Sequence, residues 1–235
     1  QLSIASLPLL ASCQTANSIN TQIYKKPVVV STWDSGIRAN AAAWKVLQQN
    51  GYALDAVEEA SKYAEIEKSC CVGLAANPDR DGKVTLDASI MDDKGNCGGV
   101  AFLQHIQHPI SVARKLMETT PHVFMVGEGA EQFALQNGFE KMSDQLSPEA
   151  EAEYKKWLQK SEYKPVINIE NLTKPQTQTA PNVLDNGKPN HDTMGTIALD
   201  ANGNLCGSCT TSGMAFKMRG RVGDSPIIGA GLFVD

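Results

Sequence analysis

The residues best suited to chemistry are His191-Asp192-Thr193-Met194-Gly195. A polar, Pro-bearing stretch, Lys174-Pro175-Gln176-Thr177-Gln178-Thr179-Ala180-Pro181, precedes them, and an apolar strand-like run follows. Asp192-Thr193 therefore stands where an exposed linker meets the core, and a chain can be cut there without losing that core. A cut would leave Thr193 with a free α-amino group beside its own hydroxyl. An α-amino group titrates at about 7.7–8.0, so near neutrality it can take the proton of the adjacent hydroxyl. A lysine ammonium, at about 10.4, would need a large shift to do the same. Taken alone the Asp-Thr pair is a weak signal, because β-branched residues also begin strands for conformational reasons.

The six cysteines are the next candidates. Cys206-Gly207-Ser208-Cys209 has the spacing of half a zinc site, yet the sequence offers neither a second such pair nor a His pair to complete four ligands. On a strand, residues three apart point to opposite faces, so core packing is the preferred reading and no metal or other cofactor is expected. Leu10-Ala11-Ser12-Cys13 resembles the lipobox of bacterial lipoproteins, in which the cysteine is lipidated and becomes the mature N-terminus. The apolar stretch before it is far shorter than the ~20 residues of a spanning helix. Residues 1–26 thus read as the remnant of a signal peptide followed by a polar tether. They imply a periplasmic or outer-membrane-anchored lipoprotein whose membrane contact is a lipid at Cys13. Export permits disulfides, but Cys70, Cys71, Cys97, Cys206 and Cys209 are five and cannot all pair within one chain.

These residues must be held by a scaffold, and 235 residues with 42% hydrophobic and 20% charged content suffice for one large domain. The net charge of −5 and the lack of a long basic run give no reason to expect nucleic acid as a partner, and leave room for a cationic pocket facing a small acidic substrate. Pro27-Val28-Val29-Val30-Ser31-Thr32-Trp33 reads as a first buried strand. Helices are expected over 39–49, 53–68, 109–118, 127–136 and 147–161. Strands are expected over 84–91 and 98–103 as a hairpin, 122–126, and 193–199 with 204–210 around an Asn202-Gly203 turn. Two strand-rich blocks separated by helices and a long linker suggest an α+β fold, with two stacked, mostly antiparallel sheets between helical layers.

The sequence downstream of Thr193 sharpens this reading. Thr210-Thr211-Ser212-Gly213-Met214 is followed by Gly220-Arg221-Val222-Gly223-Asp224-Ser225-Pro226-Ile227-Ile228-Gly229-Ala230-Gly231. Upstream stand Ser31-Thr32-Trp33, Ala53-Leu54-Asp55-Ala56-Val57-Glu58 and Val84-Thr85-Leu86-Asp87-Ala88. Together with His191-Asp192-Thr193 these resemble the glycosylasparaginase family, in the asparaginase branch of the N-terminal-nucleophile hydrolases. The resemblance covers about residues 27 to 235.

The resemblance implies a four-layer αββα sandwich made as an inactive precursor. The chain would cut itself between Asp192 and Thr193, giving an α part (27–192) and a β part (193–235) of one structural domain. Thr193 would then attack the side-chain amide of a glycosylated asparagine and release aspartate and an amino-sugar. Thr211 would hydrogen-bond the nucleophile. Arg221 would bind the substrate α-carboxylate, a task suited to a bidentate guanidinium. Asp224 would pair with the α-ammonium, Val222 and Gly223 belong to the same binding loop, and Trp33 would wall the pocket. A pair of αβ units, (αβ)2, is implied as the assembly. The alternatives are an isoaspartyl peptidase/L-asparaginase of the same superfamily and an inactive homologue.

Two departures from the family pattern stand out. In Ser69-Cys70-Cys71-Val72-Gly73-Leu74-Ala75-Ala76, Cys71 takes the place of a serine near the pocket, and Ala75 and Ala76 replace glycines. Strain at those alanines is expected if the glycines supply positive φ. The sequence also stops at Gly231-Leu232-Phe233-Val234-Asp235, where the family continues through an oxyanion-hole loop, so a C-terminally truncated sandwich is expected.

Overall fold

Period-two alternation decides the architecture in the computed structural model, which describes residues 27–67, 71–160 and 193–235. In β5 (Thr193–Leu199), Met194, Thr196 and Ala198 are buried on one face, while Thr193, Gly195, Ile197 and Leu199 are more open. In β6 (Leu205–Thr211), Cys206 joins the same core as Met194 and Ala198. β2 (Leu86–Met91) and β3 (Cys97–Leu103) add Ala88, Ile90 and Val100 to it.

Helices cover this face. α1 (Gly36–Leu47) and α2 (Ala53–Ile66) press mostly alanines inward, among them Ala39, Ala43, Ala56 and Ala60, all fully buried. Small residues let both helices lie close to the strands. α3 (Pro109–Thr119) packs beside them on β2 and β3 through Ile110, Val112 and Ala113, with Pro109 setting its first turn. α4 (Gly127–Gln136) adds Ala130 and Ala134 to the core. α5 (Pro148–Leu158) is an outer helix whose N-cap, Ser147, accepts from Ala150 N at 3.1 Å.

The six strands form one sheet in the order β1-β5-β6-β2-β3-β4, where β1 is Val28–Ser31 and β4 is Phe124–Val126. All pairings are antiparallel except β3 with β4. The sequence suggests two stacked sheets; the described residues form a single one in a mixed α/β fold. The reason is edge chemistry. Each hairpin, β2–β3 and β5–β6, presents an open row of backbone groups, and the two rows satisfy one another along Asp87–Met91 and Gly207–Thr211. The face turned away from the helices carries the loop after β6, where Leu232 and Val234 pack on Met91 and Cys209. None of the helices among the described residues is long and apolar enough to cross a membrane. Cys13 and the leader stretch lie outside the described residues.

Candidate active site

Strand register builds the site. Thr193 is the first residue of β5 and stands opposite Thr211 of β6, which in turn stands opposite Asp87 of β2. The three form a row on the face away from the helices, and directly opposed residues bring their β-carbons to about 4.5–5.5 Å. The backbone of Thr193 is fixed from the other side. Its carbonyl accepts the indole Nε1–H of Trp33 at 2.9 Å and the Thr32 hydroxyl at 3.3 Å. Thr32 is itself locked to Gly195 by two bonds, Thr32 N to Gly195 O at 2.9 Å and Gly195 N to Thr32 Oγ1 at 3.1 Å. Trp33 reaches Thr193 from a left-handed backbone, φ 63°, a conformation a bulky residue adopts only when its surroundings impose it. The sequence marks Trp33 as a pocket wall; in the structure its indole N–H holds the Thr193 carbonyl.

The hydroxyls pair differently from expectation. Thr211 Oγ1 accepts from Gly213 N at 2.8 Å and makes no hydrogen bond to Thr193. Thr193 Oγ1 lies 2.9 Å from Ser225 Oγ instead. Ser225 is buried, and its carbonyl accepts the Ser89 hydroxyl at 2.7 Å. Sequence reading gave Ser225 no role, although it stands inside the Gly220–Gly231 run. Its contact with Thr193 spans 32 positions, and no periodicity encodes such a return of a loop onto a strand end.

Two cations converge behind Thr211. Lys217, 1% exposed, donates to Ser212 O at 2.8 Å. A β-carbon on Gly213, whose φ is +70°, would sit 2.8 Å from Lys217 Nζ and 3.2 Å from Arg221 Nη1. Asp87 is fully buried; Oδ1 accepts from Phe102 N at 2.8 Å, and Oδ2 has no hydrogen-bond partner among the described residues. Burial pushes the Asp87 carboxyl up, and the Lys217 and Arg221 cations pull it back. Lys217 is the second residue that sequence reading missed; a lone lysine gives no sequence signal that it will be buried. Arg221 and Asp224 are both exposed, with Val222 and Gly223 half-buried between them. Among the described residues no ion pair joins Arg221 to Asp224, so neither charge neutralises the other directly.

Cys71 reaches the site through its backbone. Its carbonyl accepts both Ser212 N, at 3.0 Å, and Ser212 Oγ, at 2.9 Å, and so ties the 71–76 segment to the turn after Thr211. Its sulfur is disulfide-bonded and is not a free thiol. The strain expected at Ala75 and Ala76 does not arise, because neither adopts positive φ. Gly73 takes the left-handed turn instead, at φ +76°, with Glu65 O only 2.0 Å from where a β-carbon would stand. Cys206 and Cys209 point to opposite faces of β6, one into the helix-side core and one into the cluster with Leu232 and Val234. Burial pushes their thiols up to about 11 and about 12. The described residues contain no cluster of three or more His, Cys, Asp or Glu side chains able to hold a metal ion. His191 and Asp192 lie outside the described residues.

A half-buried threonine at a strand start, a hydroxyl on its oxygen and guanidinium and ammonium groups nearby suit attack on a carbonyl of an anionic substrate. The chain matches the family model described as asparaginase over residues 7–235. The N(4)-(β-N-acetylglucosaminyl)-L-asparaginase of Elizabethkingia miricola is 56% identical over 213 residues, which cover 89% of this chain and 56% of that protein. Proteins of the same name from Rattus norvegicus and Mus musculus are 37% and 36% identical, over 89% of this chain and 64% of theirs. The chain spans 56% to 64% of the length of these relatives. By the extent of the family match and the identity with these relatives, the chain belongs to the asparaginase family.

Proposed function

We propose that the whole protein is a self-processing amidohydrolase of the glycosylasparaginase type, with Thr193 as nucleophile. The observation that carries this reading is the placement of Thr193: it heads an interior strand, with its carbonyl held by Trp33 and Thr32 and its hydroxyl on a buried serine. The names of the relatives supply the reaction class.

In maturation, Thr193 Oγ attacks the Asp192 carbonyl carbon, the Asp192–Thr193 C–N bond breaks, and the hydroxyl proton passes to the departing nitrogen. Water then hydrolyses the resulting ester and frees Asp192 and the Thr193 α-amine. In turnover that amine takes the proton of its own hydroxyl, and Oγ attacks the side-chain amide carbonyl of a glycosylated asparagine. The proton moves on to the leaving nitrogen, and the amino-sugar departs. Water attacks the aspartyl ester, which releases aspartate and restores Thr193. Arg221 binds the substrate α-carboxylate on the loop it shares with Val222 and Gly223, and Asp224 binds the α-ammonium. Thr211 stands beside the nucleophile, and Trp33 and Cys71 bound the site.

The complete protein is proposed to fold as an αββα sandwich and to assemble as a pair of αβ units. It is further proposed to be a lipoprotein carried at Cys13 in the periplasm or on the outer membrane. The test is to express the full chain and follow splitting, the new N-terminus, and hydrolysis of N-acetylglucosaminyl-asparagine against isoaspartyl dipeptides. Two bands on a denaturing gel, a terminus reading Thr-Met-Gly, a block by Thr193→Ala and faster turnover of the sugar conjugate support the proposal. Faster turnover of the dipeptide makes it an isoaspartyl peptidase, and an unsplit, inactive chain refutes it.

A further inference from the structure

The residue nearest the reactive oxygen is one to which neither the motif nor the family resemblance gives a task. Ser225 Oγ lies 2.9 Å from Thr193 Oγ1, and no other side chain among the described residues hydrogen-bonds that oxygen. Thr211, the obvious alternative, is turned to Gly213 N.

Ser225 is held in place from every side. A proline disfavours helical backbone in the residue before it, and Ser225 precedes Pro226 in a turn that Ile227 N closes on Asp224 O at 2.8 Å. Its carbonyl accepts the Ser89 hydroxyl at 2.7 Å. A β-carbon on Gly231 would lie 2.6 Å from Ser225 Cα, and one on Gly99 would lie 2.8 Å from Pro226 O. The Asp224–Pro226 segment is thus clamped between β3 and the 229–231 turn, in contacts only glycine permits. A side chain on so fixed a backbone, itself 3% exposed, has little freedom to move off Thr193.

We propose that Ser225 is a further catalytic residue, hydrogen-bonded to the Thr193 hydroxyl and aiming its oxygen both in self-cleavage and in turnover. This rests on Thr193 being the nucleophile. In the uncut chain the Thr193 nitrogen is an amide and cannot serve as base, so orientation by Ser225 matters most there.

The test uses the full chain with Thr193→Ala and Ser225→Ala beside wild type. Splitting is read on denaturing gels, kcat and KM on N-acetylglucosaminyl-asparagine, and folding by thermal unfolding. Ser225→Ala is expected to slow splitting and lower kcat by about 10- to 100-fold, with KM within about threefold of wild type. A variant confined to a structural role would lower the melting temperature without this split of kcat from KM. If Ser225→Ala splits and turns over at the wild-type rate, or changes KM alone, the proposal is overturned while the Thr193 reading stands. If wild type never exposes a Thr-Met-Gly terminus, the underlying reading falls and this one with it. Should Ser225→Ala not fold, Ser225→Cys, close in size and a weaker hydrogen-bonding partner, must slow splitting in the same direction; wild-type rates from it overturn the proposal.

Discussion

Replacing Glu65 separates the worth of a buried charge from the worth of its hydrogen bonds. Glu65 on α2 is 1% exposed beneath the end of β6. Its Oε1 accepts from Ile110 N at 3.1 Å and from the Thr210 hydroxyl at 2.8 Å, and Oε2 lies 3.0 Å from His108 Nδ1. Glu65→Ala strands the Ile110 N–H and the Thr210 hydroxyl, each at about 1–3 kcal/mol, and leaves a cavity besides. The expected loss is about 3–6 kcal/mol. At about 2–4 °C per kcal/mol for a domain of this size, that is a fall of roughly 6–24 °C in Tm. Glu65→Gln keeps an oxygen for both donors and offers an N–H to His108, so a change within about 1 kcal/mol is expected.

The pH dependence has a definite sign. Desolvation holds the Glu65 carboxyl above its ordinary value, against the pull of His108 and Thr210. A carboxyl raised in the folded state contributes stability that is fully present below its unfolded pKa and is lost as pH rises through the folded one. The stability of Glu65→Gln relative to wild type must therefore improve as pH climbs from about 4 toward neutrality. Thermal and urea unfolding of wild type and both variants across that range would measure it. A Gln variant as unstable as the Ala variant, or a relative stability that moves the other way with pH, would refute the reasoning.

Three further outcomes are expected. Trp33→Phe removes the indole N–H from the Thr193 carbonyl, worth about 0.5–1.5 kcal/mol; kcat should fall about 2- to 12-fold, and an unchanged kcat would contradict an anchoring role. Gly213→Ala adds a methyl at a left-handed position, between Lys217 and Arg221, at a cost of about 1–2 kcal/mol in the backbone alone. It should also raise KM by displacing Arg221, as initial-rate kinetics would detect. Cys206 and Cys209, buried and pushed up to about 11 and about 12, should resist iodoacetamide at pH 8 in the native protein and react once it is unfolded; rapid native labelling, read by mass spectrometry, would contradict their placement.

Local pattern and long-range contact divide what could be read in advance. Hydrophobic period and turn chemistry located every strand and helix among the described residues to within a few residues. The spacing of Cys206 and Cys209 correctly sent them to opposite faces of β6. The start of β5 at Thr193 was legible because a polar, Pro-bearing run of sequence gives way there to an apolar one. The pairing of β6 with β2 was not, since register between distant hairpins depends on which edges meet. Ser225 and Lys217 were missed for a related reason: each acquires its meaning from a loop that folds back over the sheet. Strain at Ala75 and Ala76 was expected only if those positions needed positive φ; within 71–76 Gly73 alone takes it.

The strand order has a mechanical corollary. β5 and β6, which follow position 192, are inserted between β1 and β2, which precede it. A backbone break ahead of Thr193 would leave the two pieces interleaved, like fingers of two hands. Each piece would grip the other along two full strand borders, with no covalent bond required. Such pieces should co-elute on a sizing column at neutral pH and come apart only when denaturant melts the ladders, so a nicked molecule would look intact to any method that preserves its shape.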